Sequence, residues 1–276
     1  MKRRPETPTP ADAPARLFES GHLWITELID GESLRFQLRE SGLLRFGDET
    51  RVYDNPDAVP DRYRHAVRHV RERLDRDALY AAVDDVESYV FVGVATHRQT
   101  IEYDFERLPS LLGFEIWDDA DGSFRPPDAV VSIFDRLGLD PVNVFEQEVD
   151  ARYFDPSSYE IPDSAWYDGP AAGVVVRNKR GDRAAVVHPR LSERPEPADG
   201  SDAPSAEEYV TDDRLRRLAA DLEARGHPVT VDRLRELVLE AALRVAHREL
   251  PDPGTDRWAA FRSEVGRLTQ AFLEDR

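Results

Sequence analysis

The sequence predicts an α+β protein, antiparallel sheets with flanking helices followed by a small C-terminal α-helical bundle. Two kinds of periodicity predict it. Short apolar or alternating runs at residues 25–29, 33–39, 89–95, 111–118, 172–178 and 183–189 have the length and the β-branched or aromatic content of strands. Beyond residue 209 the apolar residues instead recur every three or four positions in three successive stretches, the spacing of helices that share a core. Between the two regimes lies a run of Pro, Asp, Ser, Ala and Glu that reads as a linker. The expected organisation is a disordered tail over 1–16, a sheet domain over 17–192, an acidic Pro-rich linker over 193–209 and a helical domain over 210–276.

Composition excludes several chemistries. With 276 residues and no Cys, the chain has room for a large and a small domain but offers no disulfide, thiolate metal site or Cys nucleophile. The formal net charge is −18, and only Lys2 and Lys179 among the 37 basic residues are Lys. Acidic excess with scarce Lys resembles a protein of a high-salt, archaeal-type cytoplasm. At about 1 M salt the Debye length is about 3 Å, so such acidity reports solvent and does not by itself forbid nucleic-acid binding. Residues 1–15 hold four Pro and no apolar core, which argues against a signal peptide, and no run is long enough to span a bilayer. A cytoplasmic protein with no membrane partner is expected. There is no phosphate loop ending in Gly-Lys-Ser/Thr, no Gly-x-Ser-x-Gly elbow and no His-Glu-x-x-His.

Taken in order, residues 23–46 read as a strand, a tight Asp30-Gly31 turn and a returning strand, a β-hairpin in which Leu34, Phe36 and Leu38 alternate. Thr50-Arg51 follows at a strand end, where Arg51 either aims at a phosphate or is simply solvated. Residues 61–82 read as one helix, with Tyr63, Val67, Val70 and Leu74 on one face and Arg64, Arg68 and Arg71 on another. Those three Arg are candidates for tracking an RNA backbone, or form a solvated charged face. His65 and His69 have metal-like spacing but lack a third ligand, and are expected as a surface pair; no metal site is expected. Residues 89–95 form a buried strand, and 111–118 a strand presenting Phe114 and Glu115.

Glu27-Leu28-Ile29-Asp30-Gly31 has the spelling Glu-x-x-Asp-Gly. With Tyr89–Ala95, Phe114-Glu115-Ile116, Gly173-Val174-Val175-Val176-Arg177 and the strand from Arg183, it resembles in order the motifs of the RNA ligase family of covalent nucleotidyltransferases, over residues 20–195. The resemblance implies the nucleotidyltransferase fold, with ATP-grasp-like antiparallel sheets. It also implies a Lys that takes AMP from ATP, an aromatic ring stacked on adenine, one Glu that contacts the ribose or reaction centre and another that helps place the divalent metal. In this sequence the Lys position is Leu28, two Glu positions are Val94 and Ala172, and the fifth-motif Lys position is Ala185, or Arg183 in another register. An aliphatic side chain cannot attack phosphorus. The candidate binding residues that remain are Glu27, Asp30, Arg35, Arg51, Phe114, Glu115 and Arg177.

In the last region, Leu215, Leu218 and Leu222 precede Gly226 and Pro228, Thr230 caps a stripe from Val231 to Val245, and Thr255 or Asp256 opens a third helix through Trp258, Phe261 and Val265. The second of these is a poor DNA-reading helix, because Asp232, Glu236 and Glu240 accompany its Arg. A helical C-terminal domain after the nucleotidyltransferase domain is again similar to some RNA ligases. The expected function is an RNA-ligase-like pseudoenzyme that binds RNA, a nucleotide or an active ligase or repair partner. ATP and Mg enter only if activity remains. The alternatives are an active ligase with a non-standard nucleophile, for which Lys179 is the candidate, and a structural assembly protein with a filled cleft.

Overall fold

The computed structural model describes residues 1–55, 58–191 and 205–276. The chain divides into two compact units, one of Met1–Val59 with Ala66–Arg194 and one of Pro60–His65 with Pro195–Arg276.

Two antiparallel sheets build the first unit. One has the order β10-β9-β1-β8, from β1 (His22–Glu27), β8 (Val144–Asp150), β9 (Gly173–Asn178) and β10 (Arg183–Val187). The other has the order β4-β3-β2-β5-β6-β7, from β2 (Glu32–Leu38), β3 (Leu44–Gly47), β4 (Val52–Tyr53), β5 (Tyr89–Ala95), β6 (Leu111–Asp118) and β7 (Ser123–Phe124). A short helix α1 (Arg16–Glu19) precedes β1, and α4 (Pro127–Arg136) packs on β6, started by Pro127 at its first position.

The expected hairpin at Asp30-Gly31 does not form. Strand β1 pairs with β8 and β9, whereas β2 pairs with β3 and β5, so residues 28–31 carry the chain from one sheet to the other. Asp30 serves this crossing: its carboxylate accepts from the Thr100 and Ile101 amides at 2.7 and 2.9 Å, and its own amide donates to the Tyr103 hydroxyl at 2.9 Å. Gly31 is required by close approach, since a Cβ there would lie 2.6 Å from the Ala95 carbonyl oxygen.

Period-two alternation divides each strand of the smaller sheet. Leu23, Ile25, Val174, Val176 and Ala184 enter one apolar core with Leu17 and Phe154, while Trp24, Thr26, Val175, Arg177 and Ala185 face the other way.

The single helix expected over 61–82 is interrupted. A 3-10 turn (Asp61–Tyr63) leads into α2 (Arg64–Arg73), and α3 (Arg76–Ala82) begins afresh because the Asp75 side chain accepts from the Ala78 amide as an N-cap. His65 is buried at 2% exposure rather than at the surface, and His69 is half-buried, 3.7 Å from Asp140.

The stretch expected as a disordered tail makes contacts with the sheets. Residues 1–8 lie along the first unit, where Pro8 accepts from the Ala185 amide at 2.9 Å and Lys2 accepts from Arg35 Nη1 at 2.7 Å. Residues 193–204 of the expected linker lie outside the described residues. Its last part is helical: α5 (Ala206–Tyr209) opens with a Ser205/Glu208 capping box.

The second unit gathers α5, α6 (Asp212–Ala224), α7 (Val231–Ala246) and α8 (Asp256–Glu274) around Leu215, Val238, Ala242, Trp258, Phe261 and Val265. Thr211, Thr230 and Thr255 cap the three longer helices, and Gly226, at φ 71°, closes α6. No helix among the described residues is long and apolar enough to cross a membrane.

Asp48 organises the turn between β3 and β4. It accepts from the amides of Thr50 and Arg51 at 2.7 and 2.9 Å and from the Tyr53 hydroxyl. Burial opposes its ionisation, but these hydrogen bonds outweigh burial and hold it at about 2. Its contribution to stability is therefore complete above the unfolded-state value of about 4 and is lost as pH falls toward 2. We expect Asp48→Asn to lower stability by about 1–2 kcal/mol at pH 7. Urea melts at pH 7 and pH 3 should show the deficit shrinking with acid.

Candidate functional site

A cleft of about 340 Å³ lies between the two sheets of the first unit. One wall comes from β1, β9 and β10 through Trp24, Thr26, Glu27, Val175, Arg177 and Ala185, the other from Val94 on β5 and residues 113–115 on β6. Leu28 and Ile29 of the crossing close one end, and Pro127, Val130 and Val131 of α4 flank it. The lining is mostly apolar.

A β-bulge shapes the second wall. Gly93 pairs with Gly113 and Val92 with Glu115, which leaves Phe114 as an extra residue without a partner on β5. Consecutive residues of a regular strand face opposite ways, but across the bulge Gly113, Phe114 and Glu115 all border the cleft. The Phe114 ring is partly exposed there.

Glu115, 2% exposed, is met by three guanidinium groups. Arg4 Nε lies 2.9 Å from Oε2, Arg177 Nη1 lies 3.8 Å from Oε1, and Arg183 Nη1 bonds Oε1 directly. Burial, followed by the neighbouring Arg183 and Arg4 charges, outweighs the attraction of Glu115 and brings the Arg177 guanidinium down to about 10. Arg177 Nη2 donates to the Arg125 carbonyl at 2.6 Å, and its Nε has no hydrogen-bond partner among the described residues. Three guanidinium groups thus gather on one carboxylate at this corner, with Glu6 and Glu49 also lining the cleft and Glu49 acting on Arg4.

Glu27 is buried on the opposite wall. Its carboxylate accepts from Ser164 Oγ at 2.5 Å and the Ala165 amide at 3.3 Å. Burial raises its carboxyl above the usual Glu range, and hydrogen bonds from Ser164, Ala165 and Asn143 offset part of that rise.

Four of the seven binding candidates read from the sequence therefore meet in one place: Glu27, Phe114, Glu115 and Arg177. The other three lie elsewhere. Asp30 is committed to the 100–103 loop, and Arg35 donates to the Lys2 and Asp48 carbonyls at 2.7 and 2.6 Å. Arg51 is exposed, its guanidinium 4.9 Å from the centre of the Tyr53 ring. Of the backbone-tracking candidates, Arg64 pairs with Asp61 at 2.6 Å, Arg68 with Glu72 at 3.5 Å, and Arg71 is exposed.

Leu28, Val94 and Ala185 line the cleft, whereas Ala172 is buried outside its lining. Ala185 and Arg183 are two residues apart and so share a face of β10: Ala185 opposes Val175, and Arg183 opposes Arg177. Sequence reasoning missed Arg4, Trp24 and Ser164. Alternation with Leu23 and Ile25 could have placed Trp24; nothing local marks Arg4 within its Pro-rich surroundings.

No protein-family model matches the chain, and no curated protein matches it. Solved structures do. A Glu→Ala variant of Naegleria gruberi RNA ligase with ATP and Mn is 12% identical, with 69% of this chain and 57% of that one covered at a TM-score of 0.52. A Lys→Ala variant of the same ligase, also with ATP and Mn, is 13% identical, with 68% and 55% covered at 0.51. The fold is that of RNA-ligase nucleotidyltransferases. An archaeal ATP-dependent RNA ligase is 12% identical over 100% of this chain and 65% of its own, at 0.47. The chain thus spans between 55% and 65% of the length of these ligases.

Removing the shared carboxylate would leave three buried guanidinium groups facing one another. Glu115→Ala is expected to lower stability by roughly 3–5 kcal/mol, read as a fall in the urea midpoint.

Proposed function

We propose that this chain is an RNA-ligase-like binding protein, a pseudoenzyme whose cleft holds a nucleotide or the nucleotide end of an RNA without taking AMP onto a side chain. The observation that carries this reading is the lining of the cleft, which keeps an aromatic platform and lacks an amine. Phe114 offers a π-face on which a base can stack. The guanidinium groups of Arg177 and Arg183 suit the anionic part of the same ligand.

Transfer of AMP from ATP to a lysine needs an unprotonated amine near the α-phosphate. Leu28 stands at the family's Lys position, and neither lysine of the chain is among the lining residues. Lys179 is drawn off by Glu148 at 2.7 Å and Asp128 at 3.6 Å, and its hydrogen bond to Glu148 raises its pKa, which favours the ammonium form. The Lys2 amine sits 4.0 Å over the Trp117 ring.

The site also fits a divalent cation poorly. Hard cations such as Mg and Mn require several free oxygen ligands. Glu27 is engaged by Ser164 and Ala165 and Glu115 by three Arg, Val94 and Ala172 supply no side-chain donor, and among the described residues no three carboxylate or imidazole groups of the lining, Glu6 and Glu49 included, converge within 4.8 Å. No metal-assisted step is therefore assigned. What the chain's own residues can do is bind and orient: Phe114 against a base, Arg177 beside an anion, Leu28, Val94 and Ala185 excluding water. An open volume of about 340 Å³ favours this over a packed, purely structural cleft.

Calorimetry at high salt with AMP as probe is expected to show binding, and Phe114→Ala to weaken it about tenfold to a hundredfold, from about 1–3 kcal/mol of lost stacking. Incubation with radiolabelled ATP and Mg or Mn should leave no label on the denatured protein. Label retained on the unaltered chain would overturn the proposal.

A further inference from the structure

Residues 1–8 cross the mouth of the cleft, and one side chain enters it. Arg4, 16% exposed, forms the ion pair with Glu115 and places its guanidinium 4.9 Å from the centre of the Phe114 ring. Glu6 and Thr7 border the same cleft. A planar cation thus lies against the platform on which a base would stack.

The rest of the segment holds on lightly. Lys2, Arg3, Pro5 and Glu6 are exposed. Besides Arg4, the segment is tied by the Pro8 carbonyl to the outer strand β10, by the Lys2 carbonyl to Arg35, by Arg3 to the Thr50 carbonyl and by Lys2 over Trp117. Pro5 and Pro8 restrict the backbone in advance, so seating it costs less conformational entropy than seating an ordinary eight-residue segment.

Arg4 is also dispensable to its partner. Without it, Glu115 keeps both Arg177 and Arg183, and one of three mutually repelling charges is gone. A contact that buries a third cation on an already paired carboxylate is better suited to covering a site than to holding a fold together.

We infer that residues 1–8 are a displaceable strap, an intramolecular occupant whose Arg4 must leave Phe114 before a nucleotide can bind. The nucleotide half of this inference rests on the function proposed above; the strap itself does not. A ligand that competes with a resident segment binds with its intrinsic affinity multiplied by the fraction of molecules in which the segment is released.

The experiment compares the full chain with full-chain Arg4→Ala and Arg4→Lys, using AMP as probe and the exchange rate of the Ala185 amide as the reporter of strap seating. In the unaltered chain that amide is expected to exchange slowly, and faster as AMP saturates the cleft. Arg4→Ala should speed its exchange without AMP and tighten AMP binding, each by up to about tenfold if the strap is seated about nine-tenths of the time. Arg4→Lys, which keeps the charge but loses the planar fork, should fall between and serves if Arg4→Ala does not fold. Unchanged Ala185 exchange in both variants would overturn the strap, as would AMP binding to the unaltered chain without any change at Ala185. AMP binding to no variant, with Ala185 exchange still accelerated by Arg4→Ala, would remove the nucleotide reading and sustain the strap.

Discussion

The first unit depends on an ion cluster that reaches from one sheet to the other. Glu115 belongs to β6 of the larger sheet, Arg177 and Arg183 to neighbouring strands of the smaller one. Their meeting fixes the distance between two layers that elsewhere around the cleft touch mainly through apolar side chains. A buried carboxylate with paired guanidinium groups is costly to assemble and more costly to break halfway, so it specifies an arrangement more firmly than it stabilises it. The two walls of the cleft are tied to each other at this corner.

Much of this was legible in the sequence, for reasons that mark where legibility ends. Strands β5 and β6 and helices α6, α7 and α8 announce themselves by periodicity, and Thr230 and Thr255 cap as local chemistry dictates. Pairing is not local. The Asp30-Gly31 spelling describes a turn correctly but cannot say whether the strands on either side pair with each other, and here each finds partners far away in the chain. Asp75 shows the opposite case, a single cap residue breaking a helix whose apolar stripe continues across the break. The contacts of the N-terminal segment leave no local signal, because its composition lacks an apolar core of its own and its anchors belong to residues more than thirty positions away.

The candidate site was legible in its residues and not in its arrangement. Glu27, Phe114, Glu115 and Arg177 came from a family spelling, and the fold brings them together around one space. Arg35 and Asp30 came from the same spelling but are consumed in building the walls. Leu28, Val94 and Ala185 line the space without filling it. Their apolar surface sets the solvent quality of the cleft: less water, a lower local dielectric and stronger forces on the charges beside it.

The bulge at Phe114 has a geometric consequence of its own. In a regular strand a ring and the next residue's carboxylate would point to opposite faces, and pressure on one would hardly reach the other. Here they are adjacent along the chain and border the same space, so the ring that faces any occupant is one peptide unit from the carboxylate that joins the sheets. Occupancy of the cleft and the spacing of its walls are, in this protein, properties of two consecutive residues.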